Sequence, residues 1–189
     1  MFVPLILLLL SLVDVAAGTQ PGLSDFMLLA VPCTIASAYL LYRALTTAPV
    51  AEPPWILIDG SNVMHWKDGT PQLATLREVV DHLKAEGFTI GVVLDANAGY
   101  KINGRYQHDL AFGRLLNLPE SQVMVVAKGT PADPALLASA RDLGARIVTN
   151  DRFRDWAEKH PEVAKPGHLI RGGYRKGQLW LDLDRQPDS

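Results

Sequence analysis

Cysteine is nearly absent from this chain of 189 residues. The single one is Cys33, which excludes an intrachain disulfide and a cysteine-ligated zinc site. It lies inside an apolar stretch, where a thiolate nucleophile would have no support. Lys and Arg are absent before position 43. A glycine-rich phosphate loop is also lacking, because the first strand-like run is followed by "DGSNVMHW"; this removes the usual motifs for dinucleotides and nucleoside triphosphates. Neither charge is in excess. Setting aside Asp14 and Asp25 leaves 18 acids against 18 bases in residues 43–189, so net charge gives no indication of a polyanionic partner. Internal repeats and low-complexity tracts are missing too.

What is present begins with two apolar stretches, "FVPLILLLLSLVDVAAG" (2–18) and "FMLLAVPCTIASAYLLYRAL" (26–45), separated by the turn-like "TQPGLSD". The second is close to the ~20 residues that span a bilayer. The first has two readings. "VAA" before Gly18 resembles a signal-peptidase site, but no base precedes the apolar core, which favours an uncleaved helix. Residues 1–45 are therefore expected to form a transmembrane helical hairpin in contact with the lipid bilayer. Arg43, directly after the second stretch, places everything that follows on the cytoplasmic side by the positive-inside rule, with or without cleavage.

Residues 46–54, rich in Pro and Ala, read as a short stiff linker. Beyond them, in 55–189, apolar runs alternate with helical patterns. "WILID" (55–59), "FTIGVVLD" (88–95), "QVMVVAKG" (122–129) and "ARIVTN" (145–150) read as strands. "LATLREVVDHLKAEG" (73–87), "HDLAFGRLLNL" (108–118), "DPALLASARDLG" (133–144) and "DRFRDWAEKH" (151–160) read as helices. This series predicts an α/β domain of three layers, a parallel sheet flanked by helices. Thr70-Pro71 and Asp133-Pro134 look like helix starts, and Gly87 and Gly144 like helix ends. The tail predicts a last strand and a hairpin turning at Gly172-Gly173 or at Lys176-Gly177.

In such a sheet, ligands bind along the carboxyl edge of the strands. Asp59 ends the first strand there. Asp133 opens a helix that leaves this edge, and the next strand returns to it and delivers Asp151. Helical spacing would put Asp155 on the same face as Asp151. Asn62 is near enough for its amide to hold a carboxylate or a water. Four crowded carboxylates repel, so some protonate or a cation neutralises them; Mg²⁺, or Mn²⁺ in its place, suits an all-oxygen site. Taken singly, Asp133 and Asp151 also read as helix caps, Asp155 as an exposed helix residue and "DGSN" as a turn. Asp95, ending "VVLD", is either a fifth member or the start of the "DANAGY" turn.

"ILIDGSNV" (56–63) and "IVTNDRFRD" (147–155), with Asp133 eighteen residues before Asp151, resemble the NYN branch of PIN-like ribonucleases, and within it the Regnase-type group. The resemblance covers roughly 55–183. It implies an Mg²⁺-dependent endoribonuclease with Asp59, Asp133, Asp151 and Asp155 at the metal and Asn62 orienting the site. The pattern departs at Ala132, where that group carries a second acid, and no cysteine-rich zinc finger follows. The RNA, single-stranded, would be drawn in by Arg152 and Arg154 first, with Lys101, Arg105, Arg171, Arg175 and Lys176 also available; Trp66, Tyr100 and Tyr106 are stacking surfaces or, Trp66 above all, core packing. His65 is the best-placed histidine for a base, or a packing residue. Two other functions compete: a membrane-tethered RNA-binding adaptor on an inactive nuclease fold, and a phosphatase of the haloacid dehalogenase kind. The latter needs an Asp where this chain has Ser61.

Overall fold

The computed structural model describes residues 2–20, 27–46 and 53–184. The chain divides into two compact units, with the boundary between Glu52 and Pro53. Most of the expected turn at 19–25 and of the linker at 46–54 lies outside the described residues.

The first unit is a pair of helices, α1 (Phe2–Gly18) and α2 (Met27–Thr46), which pack against each other. Among the described residues of this unit, the small side chains Ser11, Ala30 and Ser37 are buried, as expected where two apolar helices approach closely. Ser11 Oγ donates to the Leu8 carbonyl at 3.0 Å and Thr34 Oγ1 to that of Ala30 at 2.8 Å, so these hydroxyls are satisfied within their own helices. Among the described residues only α2, with 20 residues, is long and apolar enough to cross a membrane; the apolar part of α1 runs over Val3–Ala17 and is shorter.

The second unit is an α/β domain. Its strands β1 (Trp55–Asp59), β2 (Thr89–Leu94), β3 (Val123–Val125), β4 (Arg146–Val148) and β5 (Leu169–Ile170) form one sheet in the order β3-β2-β1-β4-β5. Every pairing in it is parallel. Strand period decides which residues face which layer. Ile56, Ile58, Val92, Leu94 and Val148 point to one face, where they pack with Leu76, Val79, Val80 and Leu83 of α4 (Leu73–Ala85) and Phe112 and Leu116 of α6 (Asp109–Leu116). Leu57, Val93 and Ile147 point to the other, against Leu136, Leu137 and Ala140 of α7 (Ala132–Leu143). Leu136 and Leu137 are each about 1% exposed, and each such burial stabilises the fold by roughly 1.5–3 kcal/mol. The three-layer expectation is met.

β1 has β2 on one side and β4 on the other, so the strand order reverses at its end. That reversal opens a crevice at the carboxyl edge, and the chain after β1 turns there into a single helical turn, α3 (Gly60–Val63). "DGSN" is thus a capped helical turn: Asp59 accepts from the Asn62 backbone N–H at 3.0 Å. "DANAGY" likewise runs into a short helix, α5 (Ala98–Asn103).

Other local expectations are corrected. α4 starts at Leu73 after Gln72, two residues beyond Thr70-Pro71. α7 starts at Ala132 with Pro131 as its N-cap, so Asp133 lies inside the first turn and does not cap. Residues 151–160 do not form a helix; only Arg154–Trp156 make a tight 3₁₀ turn. The cause is local. Asp151 Oδ1 accepts from the Phe153 N–H at 2.9 Å, and Phe153 adopts a left-handed φ of 46°, so the chain follows an Asx-type turn there. Gly144 (φ 60°) ends α7 as expected. The terminal hairpin of β6 (Gly172–Arg175) and β7 (Gln178–Leu181) turns at Lys176 (φ 51°) and Gly177 (φ 79°), a type I′ geometry.

Gly60 follows Asp59 because of packing, since a Cβ on it would lie 2.5 Å from Leu94 Cδ2 and 2.9 Å from Val92 Cγ1. Gly60→Ala is expected to destabilise the domain by about 1–3 kcal/mol in chemical denaturation, the usual cost of overpacking.

Candidate active site

The site follows from the same alternation. Asp59 is two residues after Leu57, Asp95 two after Val93 and Thr149 two after Ile147, so all three emerge on the α7 face at the carboxyl edge. Ile58 is in register with Val148, which brings Asp59 level with Thr149. Thr149 Oγ1 donates to Asp59 Oδ2 at 2.9 Å and accepts from the Asp151 N–H at 3.0 Å. With the Asn62 N–H on Oδ1, both oxygens of Asp59 are fixed. Asp133 in the first turn of α7 completes the face, at a helix terminus that favours an anion.

These carboxylates act on one another. Burial is the main cause that raises the Asp59 pKa from 3.8 to about 6; hydrogen bonds from Asn62 and Thr149 oppose it, and the charges of Asp133 and Asp95 add to it. The pKa of Asp133 is also raised, first by burial and then by Asp151, with the Trp156 side chain lowering it and Asp95 raising it further. Asp95 is therefore part of the cluster. Among the described residues, no group of three or more His, Cys, Asp or Glu side chains is placed to hold a metal ion. The donor set still fits Mg²⁺ or Mn²⁺: it is all oxygen and self-repelling, with Asp59 held away from solvent, and Mg²⁺ keeps several waters and uses only one or two carboxylates directly.

The other expected residues fall in different places. Asp151, Asp155, Arg152 and Arg154 are exposed and line one open cleft of about 540 Å³ with Asn62 and Asn150. Asp155 shares this cleft with Asp151, but not by helical spacing, because the segment between them is not a helix. Asn62 holds Asp59 with its backbone N–H and not with its amide. Its Oδ1 accepts from Trp66 Nε1 at 2.8 Å and from the Asn150 N–H at 3.0 Å, so it ties α3 to the loop after β4. Trp66 is half-buried against the core and against Gly172, which makes it a packing residue and not a free stacking surface. His65 Nδ1 pairs with the Ser61 carbonyl at 2.8 Å. Lys101 is exposed on α5, and Arg105 lines a separate cavity with Gln107, His108 and Arg114.

Sequence reasoning missed Thr149 and Asn150, and it counted Arg171 only among the rim bases available to phosphate, not as a brace. Asn150 Nδ2 donates to the Gly172 carbonyl at 2.8 Å, and Arg171 Nη1 donates to the Asp151 carbonyl at 2.8 Å; both brace the loop that carries Asp151. Thr149 was legible as the polar residue two after Ile147. A more apolar groove of about 410 Å³, lined among others by Trp55, Val93, Met124 and Leu143, has no titratable group.

A parallel α/β sheet with carboxylates at its switch point is consistent with the NYN/PIN-like class of fold. The chain belongs to the family described as the Zc3h12a-like ribonuclease NYN domain, whose model matches residues 54–171. That membership sets the phosphatase reading aside. The crystal structure of nuclear proteinaceous RNase P 2 (PRORP2) from A. thaliana aligns over 80% of this chain and 36% of its own, at 19% identity and a TM-score of 0.56. A structure of the Arabidopsis thaliana nuclear protein-only RNase P 2 aligns over 84% of this chain and 35% of its own, at 19% identity and a TM-score of 0.52. Both likenesses concern the fold, and this chain spans little more than a third of either. No curated protein matches the chain.

Because the Asp59 pKa is raised, its carboxylate weakens the fold as pH rises through about 6, and the deficit is absent below the unfolded value of 3.8. Asp59→Asn is therefore expected to stabilise the cation-free protein at pH 7 by up to about 3 kcal/mol. Urea unfolding at pH 7 and at pH 4 should show this gain at the first pH only.

Proposed function

We propose that this chain is a membrane-anchored, metal-dependent endoribonuclease. One observation carries the reading. On a ribonuclease NYN fold, Asp59, Asp95, Asp133 and Asp151 gather at the switch-point edge with two of their pKa values raised. This is an arrangement of charge that a divalent cation would relieve.

One or two of Asp59, Asp133 and Asp151 would hold Mg²⁺ or Mn²⁺ directly and the rest through its waters, with Asp95 as a further carboxylate beside them and Asp155 nearby in the cleft. Such an ion stabilises charge on a phosphoryl oxygen and acidifies a water. The chain itself does the rest. Thr149 and the Asn62 N–H fix the Asp59 carboxylate, so its oxygens need no reorientation during reaction. Asp151, with one oxygen taken by the Phe153 N–H, or Asp155 beside it in the cleft would orient or deprotonate the attacking water. Arg152 and Arg154, exposed in the same cleft, draw the phosphate chain toward a centre that would otherwise repel it. Arg171 is occupied by backbone carbonyls and acts as a brace.

The domain division that goes with this reading is a membrane anchor over 1–45, a linker over 46–54 and the nuclease over 55–189. The length and composition of α2, with Arg43 in its last turn, support an anchor whose following residues face the cytoplasm. α1 would complete the hairpin.

Single-stranded RNA incubated with the chain and Mg²⁺ is expected to be cut internally. EDTA should abolish cleavage, and Asp59→Asn and Asp133→Asn should each lower the rate at least ~100-fold. Cleavage that survives both treatments overturns the reading; RNA bound and never cut identifies an adaptor instead. In intact cells, residues after 55 should resist external protease, and their digestion would reverse the topology.

A further inference from the structure

On the β2–β3 side of the carboxylate cluster, the chain forms a cavity of about 220 Å³ lined by Ala96, Asn97, Tyr100, Tyr106 and Lys128. It is smaller than the roughly 300–1,000 Å³ of typical small-molecule sites, so it admits one flat ring system. Both tyrosines are more than half exposed, Tyr100 at 57% and Tyr106 at 51%, and both line this one small cavity. Among the described residues, neither hydroxyl nor the Lys128 ammonium has a hydrogen-bond or ionic partner.

The backbone builds this arrangement. Gly104, with a left-handed φ of 68°, ends α5 and turns the chain back. The returning segment lies so close to α5 that a Cβ on Gly99 would meet the Arg105 carbonyl oxygen at 2.6 Å and the Gln107 nitrogen at 2.7 Å. That contact carries Tyr106 to the cavity that Tyr100 also lines. Asp95, in the carboxylate cluster, is only two residues before Asn97, at most ~7.6 Å along the chain.

We propose that Tyr100 and Tyr106 hold one unpaired base of the RNA strand, with Lys128 on its phosphate and Asn97 at its polar edge. The sheet order gives the path. Arg152 and Arg154 follow β4, Asp59 ends β1, and the tyrosine cavity lies past the ends of β2 and β3. A strand crossing the carboxyl edge meets the arginine cleft, the carboxylates and the cavity in turn. Neighbouring strands are ~4.8 Å apart, so β4 and β3 are separated by about 14 Å, or roughly two to four nucleotides. Tyrosine faces stack any base, so the cavity selects for an unpaired strand and a fixed register more than for sequence. This inference rests on the ribonuclease reading above.

The test uses the full chain in detergent, with Asp59→Asn to keep RNA intact for binding. Single-stranded RNAs each carry one abasic nucleotide at a successive position along the strand. One position within about four nucleotides of the cleaved bond should weaken binding about tenfold. In Tyr100→Ala/Tyr106→Ala, intact RNA should bind about tenfold more weakly and that abasic penalty should disappear, while Tyr100→Phe/Tyr106→Phe should restore both. A protein that cleaves RNA but keeps the penalty in the alanine variant, or shows no such position, overturns the cavity assignment alone. A protein that neither binds nor cleaves RNA overturns the ribonuclease reading with it.

Discussion

The carboxylate of Asp59 is the constraint around which the domain is arranged. It stands at the end of the central strand, where the sheet order reverses, with one oxygen held by the start of α3 and the other by Thr149 from β4. Through Thr149 the same network reaches Asp151, and through Asn62 it reaches Asn150. Two loops that are distant in sequence are thereby fixed to one charged group. Burial makes that group costly, since it pushes the pKa to about 6. The fold supports this with a continuous apolar core on both faces of the sheet.

Strained electrostatics of this kind are common where charge is needed for chemistry. Each member of the cluster has its own fixed element, Asp59 on β1, Asp95 after β2, Asp133 in the first turn of α7 and Asp151 in the loop after β4. Ala132, where the resembling group carries an acid, opens α7 beside Asp133 and packs against the core around that helix. The electrostatic influence of Asp95 on both Asp59 and Asp133 means that the edge carries four acids despite that alanine.

Much of this was legible in the sequence for a simple reason: strand period fixes the face and strand end fixes the edge. "ILID" and "IVTN" give Asp59 and Thr149 by counting from Leu57 and Ile147, and the parallel sheet with its two helical layers followed from the alternation of apolar runs. What escaped depended on side-chain to backbone bonds that periodicity does not encode. "DRFRDW" has helical spacing, yet the Asp151 carboxylate captures the Phe153 N–H and turns the chain. Asn62 was expected to serve the site with its amide, but a tryptophan and a loop nitrogen occupy its oxygen. For Trp66 the sequence left stacking and packing both open, and Gly172 leaves just the space its ring fills.

The central claim is that these acids form a site for a divalent cation. Titration of Mn²⁺ into the protein, followed by calorimetry from pH 5 to pH 7.5, tests it most directly. Binding should strengthen across that range as Asp59 loses its proton, and it should be at least ~10-fold weaker in Asp59→Asn. No detectable binding, or equal affinity in the two proteins, would contradict the account.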